Sequence, residues 1–165
     1  MFYLKDNFLS KDECEHLIQY YHDYPKDRLL NYNKNFVVRL CRRTTENLWF
    51  DDLIKYISKK CSHLCNEEIV CDNIEIVEWS VGSYMKPHKD GLDRCSAIIY
   101  LNTDFIGGET GIRFNDTNAQ EITIQPKLGR LIAFTNGGDD GYFHWVNRVR
   151  ESKRYTLSFW FVPPK

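Results

Sequence analysis

From Cys71 to Lys165 the chain is a series of short β-prone runs separated by turn residues, and the gaps between them are too short to hold helices. The runs read NIEIVEWSV, CSAIIYL, EITIQ, GRLIAF, YFHWV and RYTLSFWFV. Strands joined this closely pair with antiparallel neighbours, so the segment is expected to close as a sandwich or barrel. Two helices are expected ahead of it. Ser10 offers an N-cap and Glu13, three residues on, completes a capping box, with Leu9 and Cys14 placed as a hydrophobic staple. Cys14, Leu17, Ile18 and Tyr21 recur at helical spacing, and Pro25 marks the end. Residues 23–35 read as loop and FVVRL, 36–40, as a short strand. A second amphipathic helix spans Leu48 to Cys65, with Leu53, Ile54, Ile57, Cys61 and Leu64 on one face. The expected class is therefore α+β.

The 165 residues suit one domain, 1–165, with helical support over about 1–70 and a β core over about 71–165. Hydrophobic residues at 42% supply a packed core. A net charge of −1 gives no bulk electrostatic reason to expect a nucleic acid or an anionic membrane as partner. The one local basic cluster, Arg39, Arg42 and Arg43, reads as a solvated strand end. No secretory signal or membrane-length apolar run is present, so the six cysteines are expected to be reduced thiols in the cytoplasm. CSHLC, with Cys61, His63 and Cys65, has helical spacing and reads as core cysteines rather than metal ligands. The glycine-rich runs FIGGETG and TNGGDDGY read as turns, since neither has the spacing of a phosphate-binding loop.

The chemistry begins with His88 and Asp90. Residues i and i+2 of an extended segment point the same way, so an imidazole and a carboxylate can meet one metal ion. Alone, the pair reads equally as a polar turn after Pro87. His144, in YFHWV, is a third donor if its strand lies beside His88; otherwise it is a histidine satisfied in the core. Two imidazoles and one carboxylate make the ligand set of non-haem Fe(II) oxygenases and leave coordination positions open. In RYTLSFWFV, Tyr155, Leu157, Phe159 and Phe161 form an apolar packing face. Arg154, Thr156, Ser158 and Trp160 share the other. That strand alone leaves two readings of Arg154 open: a solvent-facing arginine, or an interior cation that a carboxylate ligand would satisfy.

Taken together, these residues resemble the 2-oxoglutarate- and Fe(II)-dependent dioxygenases, and within them the prolyl 4-hydroxylase-like branch. The resemblance covers nearly the whole chain. DNFLSKDECEHLI is similar to the family's opening, and WSVGSYMKPHKD to its approach to the first two ligands. IIYLN, DFIGGET and QPKLGRLIAF follow in the family's order, and HWVNRVRESKRYTLSFW closes it. The resemblance implies a double-stranded β-helix (jelly-roll, cupin-like) core with the two helices packed on its major sheet. It implies His88, Asp90 and His144 as iron ligands, and Arg154 as partner of the distal carboxylate of 2-oxoglutarate. Tyr100 would hydrogen-bond the same carboxylate, with Thr110 and Ser158 nearby. Trp160 would pack near a target proline, and Arg94 lies about one residue out of register with a substrate-contacting arginine. The chain departs from the family at Trp79, where a tyrosine is usual, and lacks its frequent glycine in ESKR.

The implied cofactors are Fe(II), 2-oxoglutarate and O2, with ascorbate as reductant, and the implied reaction is hydroxylation with release of succinate and CO2. A carboxylate at Asp90 favours hydroxylation over halogenation. A peptidyl proline is the expected substrate, on a peptide or protein partner. A free amino acid or another protein side chain is the alternative, and a non-enzymatic jelly-roll binding module a further one. Gly91, where the nucleic-acid demethylases carry asparagine, argues against that branch. The chain is expected to be a monomer or weak dimer.

Overall fold

The computed structural model describes residues 2–30, 35–39, 48–91, 93–114, 120–138 and 141–165. Cys41, Arg42 and Arg43 lie outside the described residues.

The capping box at the start of helix α1 (Lys11–Asp23) forms as its residues require. The Glu13 N–H donates to Ser10 Oγ at 3.2 Å, and the Ser10 N–H donates to Glu13 Oε2 at 2.7 Å. Pro25 then opens a single 3-10 turn, 25–27, because its fixed φ suits a helical start and forbids a continuation. The stretch expected as loop thus holds this turn and a two-residue strand, Leu29–Leu30. Helix α2 spans Leu48–Cys65, as its periodicity predicts.

Thirteen strands complete the described chain: β1 (Phe2–Lys5), β2 (Leu29–Leu30), β3 (Asn35–Arg39), β4 (Val70–Trp79), β5 (Met85–His88), β6 (Cys95–Tyr100), β7 (Ile106–Gly107), β8 (Thr110–Arg113), β9 (Ile122–Ile124), β10 (Leu131–Thr135), β11 (Phe143–Val146), β12 (Val149–Glu151) and β13 (Arg154–Val162). Every pairing is antiparallel. The major sheet runs β1-β10-β6-β13-β4-β3-β2, the minor sheet β5-β11-β8-β9, and β12 pairs with β7. This is the double-stranded β-helix with two helices on its major sheet.

Strand parity decides the layers. Tyr155, Leu157, Phe159 and Phe161 of β13 pack with Cys95, Ala97 and Ile99 of β6 under both helices, where Cys14, Leu17, Ile57 and Cys61 meet them. Cys14, Cys61, Cys65, Cys71 and Cys95 are free, buried cysteines of this core. The opposite face of the same strands turns inward. It carries Ser96 and Tyr100 on β6, and Arg154, Thr156, Ser158 and Trp160 on β13, with Thr156 opposite Tyr100 and Trp160 opposite Ser96. Val77, Trp79 and Val146 form one apolar cluster between the sheets, and Tyr100, Ile112, Ile132 and Phe134 another.

Candidate active site

His144 on β11 stands directly opposite His88 at the end of β5. Ladder partners project to the same face, so one antiparallel pairing brings together two imidazoles distant in sequence. Their ring centroids lie 4.2 Å apart. Asp90, just beyond β5, turns its carboxylate between them: Oδ1 is 3.2 Å from His88 Nε2, and Oδ2 is 3.4 Å from His144 Nε2. Ligand atoms of all three fall within 4.8 Å of one another, the one such cluster among the described residues. His88 Nδ1 is 2.8 Å from the Lys86 carbonyl, which can only accept. The neutral ring therefore carries its proton on Nδ1 and would present the Nε2 lone pair to a metal, while the protonated ring donates from Nε2 to Asp90.

A polar cage holds Asp90 in place. Asn136 is fully buried; its Nδ2 donates to Asp90 Oδ2 and to Ser96 Oγ, each at 2.7 Å, and its Oδ1 accepts the Asp90 N–H at 3.0 Å. Ser96 Oγ and Trp160 Nε1 also donate to Oδ2, at 3.2 and 3.0 Å. Burial works to raise the Asp90 carboxyl. The hydrogen bonds from His144, His88 and Asn136 outweigh it and hold the group well below the usual carboxylate range. His88 is raised, first by its hydrogen bond to Asp90, against desolvation. Asn136 and Ser96 escape a reading of the sequence alone. Asn136 lies in a run that looks like a turn, and Ser96 in one that looks like ordinary strand.

The cluster opens on a cavity of about 540 Å³, walled by Val77, Met85, Ile98, Phe134 and Val146, with Glu75, Ser158 and Trp160 as polar lining. Beyond Trp79, at the other end of β13, lies Arg154. It is 1% exposed, and the second reading of its strand, an interior cation, is the one the fold adopts. Nη2 donates to Thr110 Oγ1 at 3.2 Å, while Nε and Nη1 are buried without a partner. The guanidinium carbon lies 5.0 Å from the Trp79 ring centroid and 5.2 Å from that of Tyr100. Desolvation lowers the Arg154 pKa. Tyr100 donates to Thr110 Oγ1 at 2.6 Å, so Tyr100, Thr110 and Arg154 form one buried unit. The GG of FIGGETG does more than turn the chain. Gly108 sits at φ +67°, and a Cβ there would lie 2.8 Å from Arg154 Cδ, so only glycine leaves room for the arginine stem.

Arg94 goes elsewhere. Its Nε donates to Glu67 Oε1 at 2.5 Å and its Nη1 to the Gly137 carbonyl at 3.2 Å. It ties the end of α2 to the turn after β10 and does not line the cavity. Trp160 does line the cavity, and its indole N–H is committed to Asp90.

A jelly roll in which two imidazoles and a carboxylate converge on a cavity near a buried, unsatisfied arginine defines the class of non-haem iron oxygenases. Residues 74–162 match the family model of the 2OG-Fe(II) oxygenase superfamily, and the chain belongs to that superfamily. Human prolyl 3-hydroxylase 2 is 41% identical over 69 residues, which is 41% of this chain and 9% of that protein. Chicken prolyl 3-hydroxylase 1 is 36% identical over 67 residues, again 9% of its length. The chain thus matches about a tenth of the length of these relatives. A Pseudomonas putida prolyl-4-hydroxylase structure shares the fold with a TM-score of 0.77 at 16% identity, over 99% of this chain and 93% of that one. The viral collagen prolyl hydroxylase of Paramecium Bursaria Chlorella virus-1, solved as a 2OG complex, does so with 0.73 at 21% identity, over 99% and 96%.

Membership brings Fe(II), 2-oxoglutarate and O2 as cofactors, and the residues present fit them. The donor set of the cluster suits Fe(II). The unpartnered donors of Arg154 suit a buried carboxylate, since an isolated buried cation is costly.

Proposed function

We propose that this chain is an Fe(II)- and 2-oxoglutarate-dependent dioxygenase that hydroxylates peptidyl proline. The observation that carries the reading is the placement of His88, Asp90 and His144 at a cavity lined by Trp79, whose ring lies against an Arg154 guanidinium with two donors unmet. His88, Asp90 and His144 would hold the iron, and Arg154 the distal carboxylate of 2-oxoglutarate, with Tyr100 and Thr110 fixing the guanidinium. When bound, iron and 2-oxoglutarate supply O2 activation coupled to decarboxylation to succinate and CO2, with one oxygen atom delivered to the substrate. The protein's own part is positional. Lys86 sets the His88 tautomer, and Asn136, Ser96 and Trp160 orient the Asp90 carboxylate. The apolar walls keep water from the reacting centre.

Proline as substrate rests on the prolyl hydroxylase names of the relatives and on Trp160, an aromatic surface in the cavity lining. The relatives at 36–41% identity are 3-hydroxylases, which favours carbon 3 of the ring over the carbon 4 suggested by the family branch. The test incubates the full chain with Fe(II), ascorbate, O2 and 2-oxoglutarate, with a proline-rich peptide or free proline in parallel. Succinate stimulated by peptide, with one oxygen gained on proline and its carbon located by NMR, supports the proposal. Stimulation by free proline alone moves the substrate to an amino acid. Absence of both succinate and anaerobic 2-oxoglutarate binding defeats the enzyme reading.

Asn136→Ala removes a donor from Asp90 Oδ2 and the acceptor of the Asp90 N–H together. Fe(II) affinity is expected to fall roughly 10- to 100-fold. Anaerobic metal titration checks this, with circular dichroism as the control for folding.

A further inference from the structure

Trp79 ends β4 and is the ladder partner of Arg154. It is 8% exposed and lines the cavity. Its ring packs with Val77, Met85, Val146 and Val149 and lies under the Arg154 guanidinium. Its indole N–H can only donate, yet it is buried and meets no acceptor. Two other indoles are used: Trp160 donates to Asp90 at 3.0 Å and Trp145 to Asn147 at 3.2 Å. Burying a donor without an acceptor costs free energy, so this indole N–H is matched to an acceptor that a ligand would supply.

The neighbouring rungs give that occupant its character. Arg154 Nε and Nη1, opposite Trp79, are buried and unpartnered, and so is Thr156 Oγ1, opposite Val77. A cation, an indole donor and a hydroxyl, all unmet on adjacent rungs of one interior face, together suit a carboxylate.

We infer that Trp79 is a cosubstrate-binding residue: its indole N–H donates to the distal carboxylate of 2-oxoglutarate beside Arg154, while its ring face seats the guanidinium. The inference rests on the reading of the site as a 2-oxoglutarate site. Thr156 Oγ1, two residues along β13 from Arg154, is a further unmet hydroxyl on the same face.

The test is anaerobic titration of the Fe(II)-loaded full chain with 2-oxoglutarate and with 2-oxobutyrate, which keeps the 2-oxo acid end and lacks the distal carboxylate. Binding is read by calorimetry, in the unaltered protein and in Trp79→Phe, which keeps a ring under the guanidinium and removes the donor. Trp79→Phe is expected to weaken 2-oxoglutarate about tenfold or more, the effect of one hydrogen bond to a charged group. Affinity for 2-oxobutyrate is expected to stay within about twofold, since that ligand never meets the missing donor. Unchanged 2-oxoglutarate affinity, or equal weakening of both ligands, overturns the inference. A second measurement needs no variant. In the unaltered protein loaded with diamagnetic Zn(II), the Trp79 indole N–H resonance should shift on addition of 2-oxoglutarate and stay in place with 2-oxobutyrate. No shift with either overturns the inference as well. If the unaltered protein fails to bind 2-oxoglutarate at all, the underlying assignment of the site falls, a result distinct from loss of selectivity in the variant.

Discussion

Asp90→Ala is expected to reduce 2-oxoglutarate-dependent succinate formation by more than about a hundredfold. Loss of groups that merely orient a ligand costs 10- to 100-fold, and Asp90 is itself the anionic member of the cluster. The substitution also strands its cage: Asn136 Nδ2 and Trp160 Nε1 would point at a position with no acceptor. Two imidazoles without a carboxylate hold Fe(II) more weakly and leave its charge less compensated. Succinate quantified alongside Fe(II) content checks the prediction. Retained turnover with full iron loading would remove Asp90 from the ligand set and with it the proposed chemistry.

The second large effect concerns Arg154, where function and stability should part. Arg154→Met keeps much of the aliphatic stem and removes the cation. Two charge-assisted hydrogen bonds to the distal carboxylate are worth about 3 to 6 kcal/mol together, so 2-oxoglutarate affinity should fall by a hundredfold or more. The ligand-free protein carries this cation with two of its donors unmet. Desolvation of an unpaired buried charge costs several kcal/mol and offsets what the Trp79 and Tyr100 rings return. The ligand-free Tm of Arg154→Met is therefore expected to hold or rise, while the thermal shift produced by 2-oxoglutarate disappears. An arginine kept only for packing would show the opposite, a lower Tm and intact binding.

The parity of RYTLSFWFV separates a helix-facing row from a cavity-facing row before any coordinates, because a two-residue period is a local property of the chain. The capping box at Ser10 is equally local. What the sequence cannot display is which strand lies beside which. The opposition of His88 and His144 is a ladder register between distant segments, and no pattern within either strand announces it. Strands β1, β5, β7, β8 and β12 are too short, or too interrupted by proline, glycine and charge, to show a period. Asn136 is invisible for a related reason. Asparagine before two glycines has the chemistry of a turn, and only burial against Asp90 turns its amide into a structural clamp.

The sheet order adds one consequence. β5, which bears His88 and leads into Asp90, stands at the margin of the minor sheet, with β11 as its neighbour there. A marginal strand frays at a lower free energy than the sheet's interior, and His88 is carried on that strand. Asp90 does not share that freedom, because Asn136, Ser96 and Trp160 tether it to β6, β13 and the turn after β10. The three donors thus differ in how firmly the fold holds them, with His88 on the border strand and Asp90 bound to the helix-backed layer.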